Sequence, residues 1–134
     1  MLTDELRQDL VQHAIEARQW AYAPYSQYPV GAALLAESGR VYTGVNVENA
    51  AYPTGICAER VAVFKAVSEG ERAFTAIAVV TANGGSPCGS CRQVLAEFGL
   101  ETSVIVADEE GRIVLETDVA GLLPGAFRPT DLKV

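Results

Sequence analysis

The sequence predicts an α/β fold: a three-layer α/β/α sandwich with a mixed five-stranded sheet, formed by one domain over residues 1–134. Three observations carry this expectation. Helix-period stretches alternate with short β-branched runs in the order helix, two strands, helix, strand, helix, two strands, short helix. Two of the links, Glu37-Ser38-Gly39-Arg40 and Asp108-Glu109-Glu110-Gly111-Arg112, are too short for a parallel crossover, so the strands they join are antiparallel neighbours. The 134 residues are 49% hydrophobic and 20% charged, which suits one domain of ordinary size and leaves apolar surface for contacts between subunits.

In chain order, Thr3 can cap a first helix that carries Asp4 and Glu5 in its opening turn. Leu6, Leu10, Ala14, Ala17 and Ala21 form its apolar stripe, and Pro24 ends it. His13, the only histidine, falls off this stripe and reads as a surface residue. Val30 to Ala36 and Val41 to Val47 form a hairpin, and Gly31-Ala32-Ala33 in its first strand lets another backbone or a ligand come close. Asn46 to Tyr52 then leads through a polar loop towards a helix from Cys57 to Glu69, with Gly70 as its stop. Val61, Ala62, Val63, Phe64, Ala66 and Val67 put apolar groups on more than one side of that helix, which predicts burial within the chain or in an oligomer.

Phe74 to Ala82 is dense in β-branched residues, as a strand covered on both faces would be. The loop Asn83-Gly84-Gly85-Ser86-Pro87 precedes a third helix from about Gly89 to Phe98. Ser103 to Ala107 and Ile113 to Thr117 are the last strands, followed by the apolar segment Leu122-Leu123-Pro124-Gly125-Ala126-Phe127 and a polar tail.

Seventeen acidic against ten basic residues give a net charge of -7, with no two basic residues adjacent, so a phosphate backbone is repelled and neither DNA nor RNA is an expected partner. The first residues lack a signal-peptide pattern, and no apolar run reaches bilayer length. A cytoplasmic location with reduced thiols is the expectation, and no membrane partner.

Two short stretches carry chemistry: Cys57-Ala58-Glu59-Arg60 and Pro87-Cys88-Gly89-Ser90-Cys91-Arg92-Gln93, each opening a predicted helix. Reduced thiols in this number point to a metal or to redox chemistry rather than to a structural disulfide. Zinc takes thiolate ligands, and a catalytic site has three protein ligands with the fourth position left to water. Cys57, Cys88 and Cys91 supply that number, at helix starts whose dipoles favour thiolate. Glu59 can stand beside the ion as a proton carrier. Arg60 and Arg92 are candidates to offset the thiolate charge by hydrogen bonds to sulfur. Other readings stay open here: a closed structural zinc site needing a fourth ligand such as His13 or an acid, a thioredoxin-like pair, or packing thiols.

Five segments in order resemble the cytidine deaminase family of small homotetrameric nucleoside enzymes. They are Pro24-Tyr25-Ser26 with Val30-Gly31-Ala32-Ala33, Asn46-Val47-Glu48-Asn49-Ala50, the two cysteine stretches, and Leu122-Leu123-Pro124-Gly125-Ala126-Phe127. The resemblance implies zinc on Cys57, Cys88 and Cys91, with Glu59 passing protons to N3 and to departing ammonia. It also implies ribose contacts from Asn46 and Glu48, a pyrimidine-carbonyl contact from the Ala58 N–H, and Phe127 reaching a neighbouring subunit's site. Tyr28 stands where the family more often has phenylalanine to stack on the base. The implied activity is that of a hydrolase deaminating cytidine and deoxycytidine to uridine and deoxyuridine in pyrimidine salvage, within a homotetramer. A nucleoside analogue such as blasticidin is the alternative substrate, and a zinc-stabilised assembly module with a closed four-ligand site is the rival from outside catalysis.

Overall fold

The computed structural model describes residues 2–132. Helix α1 spans Asp4–Arg18, and Thr3 Oγ1 accepts the Leu6 amide at 3.2 Å, capping it as the sequence predicts. The helix stops short of the predicted end near Pro24, leaving Ala21 outside it. A competing extended pairing takes the chain away: Tyr22 donates its amide to the Asn46 carbonyl at 2.9 Å and accepts the Glu48 amide at 2.8 Å. The same pairing draws Val47 off the second strand, which ends two residues earlier than predicted.

The strands are β1 (Gly31–Ala36), β2 (Val41–Val45), β3 (Phe74–Val80), β4 (Ser103–Ala107) and β5 (Ile113–Asp118). They form one sheet in the order β2-β1-β3-β4-β5. The β1–β2 and β4–β5 pairs are antiparallel, as their short links require, β1–β3 is also antiparallel, and β3–β4 is parallel. Helix α2 (Ala58–Ser68) joins β2 to β3, and α3 (Gly89–Glu97) joins β3 to β4.

Side chains alternate across the sheet and build two cores. On one face Ala33, Leu35, Ala78, Val80 and Ile105 meet Leu10, Val11 and Ala14 of α1. On the other, Leu34, Ile77, Val79 and Val104 meet Ala62, Val63 and Ala66 of α2 and Leu95 of α3. Three layers result, an α/β/α sandwich around a mixed sheet. Burying a valine, leucine or isoleucine side chain stabilises by about 1.5–3 kcal/mol, so these two cores are the main source of cohesion.

Two glycines let the layers approach. A Cβ on Gly31 would lie 2.1 Å from the Ala14 carbonyl oxygen of α1, and one on Gly44 would lie 2.4 Å from the Ala58 carbonyl oxygen of α2. The close approach predicted around Gly31 is therefore made by a helix backbone.

The second apolar side of α2 is open in the single chain, with Phe64 47% exposed. The closing helix falls earlier than the apolar segment Leu122–Phe127. It is α4, Val119–Leu122, because Asp118 Oδ1 accepts the Gly121 amide at 2.8 Å and so caps an earlier start. No helix of the described residues is long and apolar enough to cross a membrane.

Candidate active site

Strands β2 and β3 run the same way, each antiparallel to the β1 strand between them. Helices α2 and α3 follow their carboxyl ends, so both helix N-termini open at one end of the sheet, where α/β folds bind ligands. Cys57 is the N-cap of α2 and Cys88 the N-cap of α3, and neither sulfur is spent on capping. Cys91, in the first turn of α3, is buried, while Cys57 is half-buried and Cys88 exposed.

The three Sγ atoms lie within 4.8 Å of one another, with Cys57 to Cys88 at 3.9 Å and Cys88 to Cys91 at 3.4 Å. Tetrahedral zinc with Zn–S bonds of about 2.3 Å needs sulfurs about 3.8 Å apart, so both the donor chemistry and the spacing fit that ion. Among the described residues no histidine or carboxylate joins the cluster. His13 sits on α1, across the sheet from α2 and α3, and does not join the cluster, so it is not the fourth ligand of a closed site.

Electrostatics favour thiolate at this point. A hydrogen bond from Cys91, helped by the Arg60 cation, pulls the Cys57 thiol down to about 5. Donating to Cys57 and being buried push the Cys91 thiol up. Arg60 Nη2 donates to Cys57 Sγ at 3.4 Å. A cation in the first turn opposes the helix dipole, and the neighbouring sulfur offsets that cost.

Arg92 differs from expectation. Its Nε donates to the Pro87 carbonyl at 2.8 Å, Nη1 to the Leu122 carbonyl at 2.7 Å and Nη2 to Ser86 Oγ at 3.0 Å. A guanidinium with three such partners is held away from sulfur, and it clamps the loop before Cys88 to the end of α4 instead.

Beside the cysteines lies a cavity of about 680 Å³, within the range of small-molecule sites. Glu59 and Ala58 line it from α2, Asn46 and Glu48 from the end of β2, and Tyr28 from the turn before β1. Glu59 is 5% exposed, and burial, with Cys57 nearby, raises its carboxyl above the ordinary glutamate range. Glu48 is held from behind: Oε1 accepts the Tyr25 and Ser26 amides at 3.0 and 3.1 Å, and Oε2 accepts the Ser26 hydroxyl. Those bonds keep its carboxyl below the usual range. Asn46 accepts the Val30 amide at 2.9 Å and donates to the Tyr28 carbonyl at 3.0 Å.

Nine residues singled out from the sequence thus gather at one site, eight lining the cavity and Cys91 beside the other two sulfurs. Phe127 does not join them; it is 55% exposed, and its carbonyl accepts from Gln93 Nε2 at 2.8 Å. Sequence reasoning passed over Thr81, Gly85 and Ser86, which also line the cavity. The signal was the glycine-rich loop ahead of Cys88, read there only as a connection.

Three sulfurs at the mouths of two helices, with a protonatable acid alongside and no fourth donor among the described residues, suit activation of a small molecule rather than a structural role. The class this fold and site define is the zinc-dependent hydrolases that deaminate bases. Residues 4–107 match the family model described as the cytidine and deoxycytidylate deaminase zinc-binding region. The chain is 52% identical over 126 residues to a cytidine deaminase of Sporosarcina psychrophila, covering 92% of this chain and 93% of that protein. It is 40% identical over 134 residues to a probable cytidine deaminase of Dictyostelium discoideum, covering 98% and 90%. The 1.6 Å crystal structure of a cytidine deaminase from Burkholderia pseudomallei superposes with a TM-score of 0.86 at 44% identity, covering 93% of this chain and 99% of that one. The chain belongs to the cytidine and deoxycytidylate deaminase family.

Proposed function

We propose that this chain, as one catalytic domain, adds water to cytidine or deoxycytidine and releases ammonia, leaving uridine or deoxyuridine. The observation that carries the reading is the Cys57, Cys88 and Cys91 cluster beside buried Glu59, at a cavity that Asn46 and Glu48 also line. Zinc held by the three sulfurs supplies Lewis acidity.

The rest is done by this chain's own groups. Glu59, shielded from bulk water and with a raised pKa, takes a proton from the attacking water and delivers protons to ring N3 and to the leaving amine. The Ala58 N–H, one of the amides that a helix start leaves free, donates to the pyrimidine carbonyl. Glu48 and Asn46, already oriented by their backbone bonds, keep acceptor and donor capacity for the two ribose hydroxyls. The Tyr28 ring lies against the base. Arg60 steadies Cys57.

Phe127 completes the site of a neighbouring subunit in a homotetramer. Support comes from its exposure outside its own cavity and from Trp20 and Tyr52, each 75% exposed. Sedimentation of the purified protein tests that assembly, and a monomer that turns over normally would sink it. Three free thiols serving as ligands support a reducing, cytoplasmic setting. An ultraviolet assay on zinc-loaded protein tests the reaction: cytidine absorbance falls as uridine forms, and no loss of cytidine would overturn the reading.

A further inference from the structure

The turn before β1 is held in an unusual backbone conformation. Gln27 has φ 55°, a left-handed value that a non-glycine residue keeps only where its surroundings hold it. On one side the Tyr28 amide donates to Ser26 Oγ at 3.1 Å, and that same hydroxyl donates to Glu48. On the other side the Tyr28 hydroxyl donates to Asn83 Oδ1 at 2.6 Å, across 55 residues of sequence. The contact is close-fitting: a Cβ on Gly85 would stand 2.5 Å from the Tyr28 hydroxyl oxygen, so only glycine leaves the oxygen room. The loop it reaches is itself anchored, since the Gly85 amide donates to Thr81 Oγ1 at 2.8 Å. Tyr28, Gly85 and Ser86 all line the cavity, and Cys88 follows Ser86 after Pro87.

We propose that the Tyr28 hydroxyl and Asn83 form a positioning latch that ties the turn carrying the Glu48 contacts to the loop leading into Cys88, and so sets the width of the cavity for its nucleoside. The latch rests on the reading of this cavity as the substrate site. Arg92 separately holds Ser86 and Pro87 in front of Cys88, so loss of the latch weakens binding rather than chemistry.

The test uses zinc-loaded Tyr28→Phe, Asn83→Ala and the double variant. One neutral hydrogen bond is worth a factor of about three to ten in binding, so each single variant raises KM for cytidine by that factor while kcat falls less than twofold. The double variant is no worse than either single one, because both remove the same bond. Gly85→Ala raises KM in the wild-type background and has no further effect on Tyr28→Phe. Unchanged KM, a loss confined to kcat, or multiplying effects in the double variant would each overturn the latch. Hydrogen exchange of the 83–86 amides reads the latch without turnover: the single variants speed it by a similar factor, and unchanged exchange overturns the proposal. Faster exchange in a protein inert to cytidine would instead place the fault in the proposed reaction.

Discussion

The two ends of the cavity are built differently. The sulfur end rests on helix starts: Cys57 and Cys88 occupy the N-cap positions of α2 and α3, Cys91 is buried, and Arg60 reaches Cys57 from the same turn. The end proposed to take the sugar rests on turns and a strand end, where Glu48, Ser26 and Tyr28 hold one another through hydrogen bonds and remain partly exposed. Groups that must hold an ion within tenths of an ångström sit on rigid elements, whereas groups that admit and release a nucleoside sit where small movements are cheap. Substitutions at the first end should therefore abolish chemistry, and those at the second should shift affinity.

The largest effect is expected for Cys88→Ala, which should lose zinc by elemental analysis and fall to background in the cytidine assay. Equal turnover without bound metal would break the distinction between the two ends at once. Next comes Glu59→Gln, which should retain zinc while kcat drops by about 10²–10⁴, since a proton carrier is removed and no ligand is. Arg60→Ala should weaken zinc retention about 10–100-fold in a chelator competition, with KM little changed in the fully loaded protein. Glu48→Gln should raise KM about tenfold, through loss of charged hydrogen bonds, at constant zinc content.

The smallest effect concerns acid. Because folding lowers the Glu48 carboxyl through its Ser26 and Tyr25 bonds, its contribution is present above the ordinary glutamate pKa of about 4.3 and fades as pH falls through the lower folded value. Proteolysis at the 23–28 turn should accelerate below about pH 4 in the native chain, and Glu48→Gln should show no such acid step. An acid response identical in both would assign the loosening elsewhere.

What the sequence made legible follows the same division. Cys57-Ala58-Glu59-Arg60 and Cys88-Gly89-Ser90-Cys91 are local patterns, and the helix dipole and ligand chemistry act within a few residues, so their meeting was readable in advance. Sheet direction was readable because link length limits it. The ends of α1 and β2 were not, because the pairing of Tyr22 with Asn46 and Glu48 is tertiary and overrides local periodicity. The direction of Arg92 was hidden for the same reason, its decisive partner being the carbonyl of Leu122. The Tyr28 to Asn83 bond joins residues that nothing in the one-dimensional pattern relates.

Gly44 bears on how this enzyme can change. With Gly44 pressed against the Ala58 carbonyl, the span from the end of β2 to the start of α2 is fixed skeleton to skeleton, with no side chain as spacer. The separation between Asn46 and Glu59 thus behaves as a built-in yardstick. Drift in preference among nucleosides has to come from the loops around that ruler, while lengthening the ruler itself would unseat Cys57.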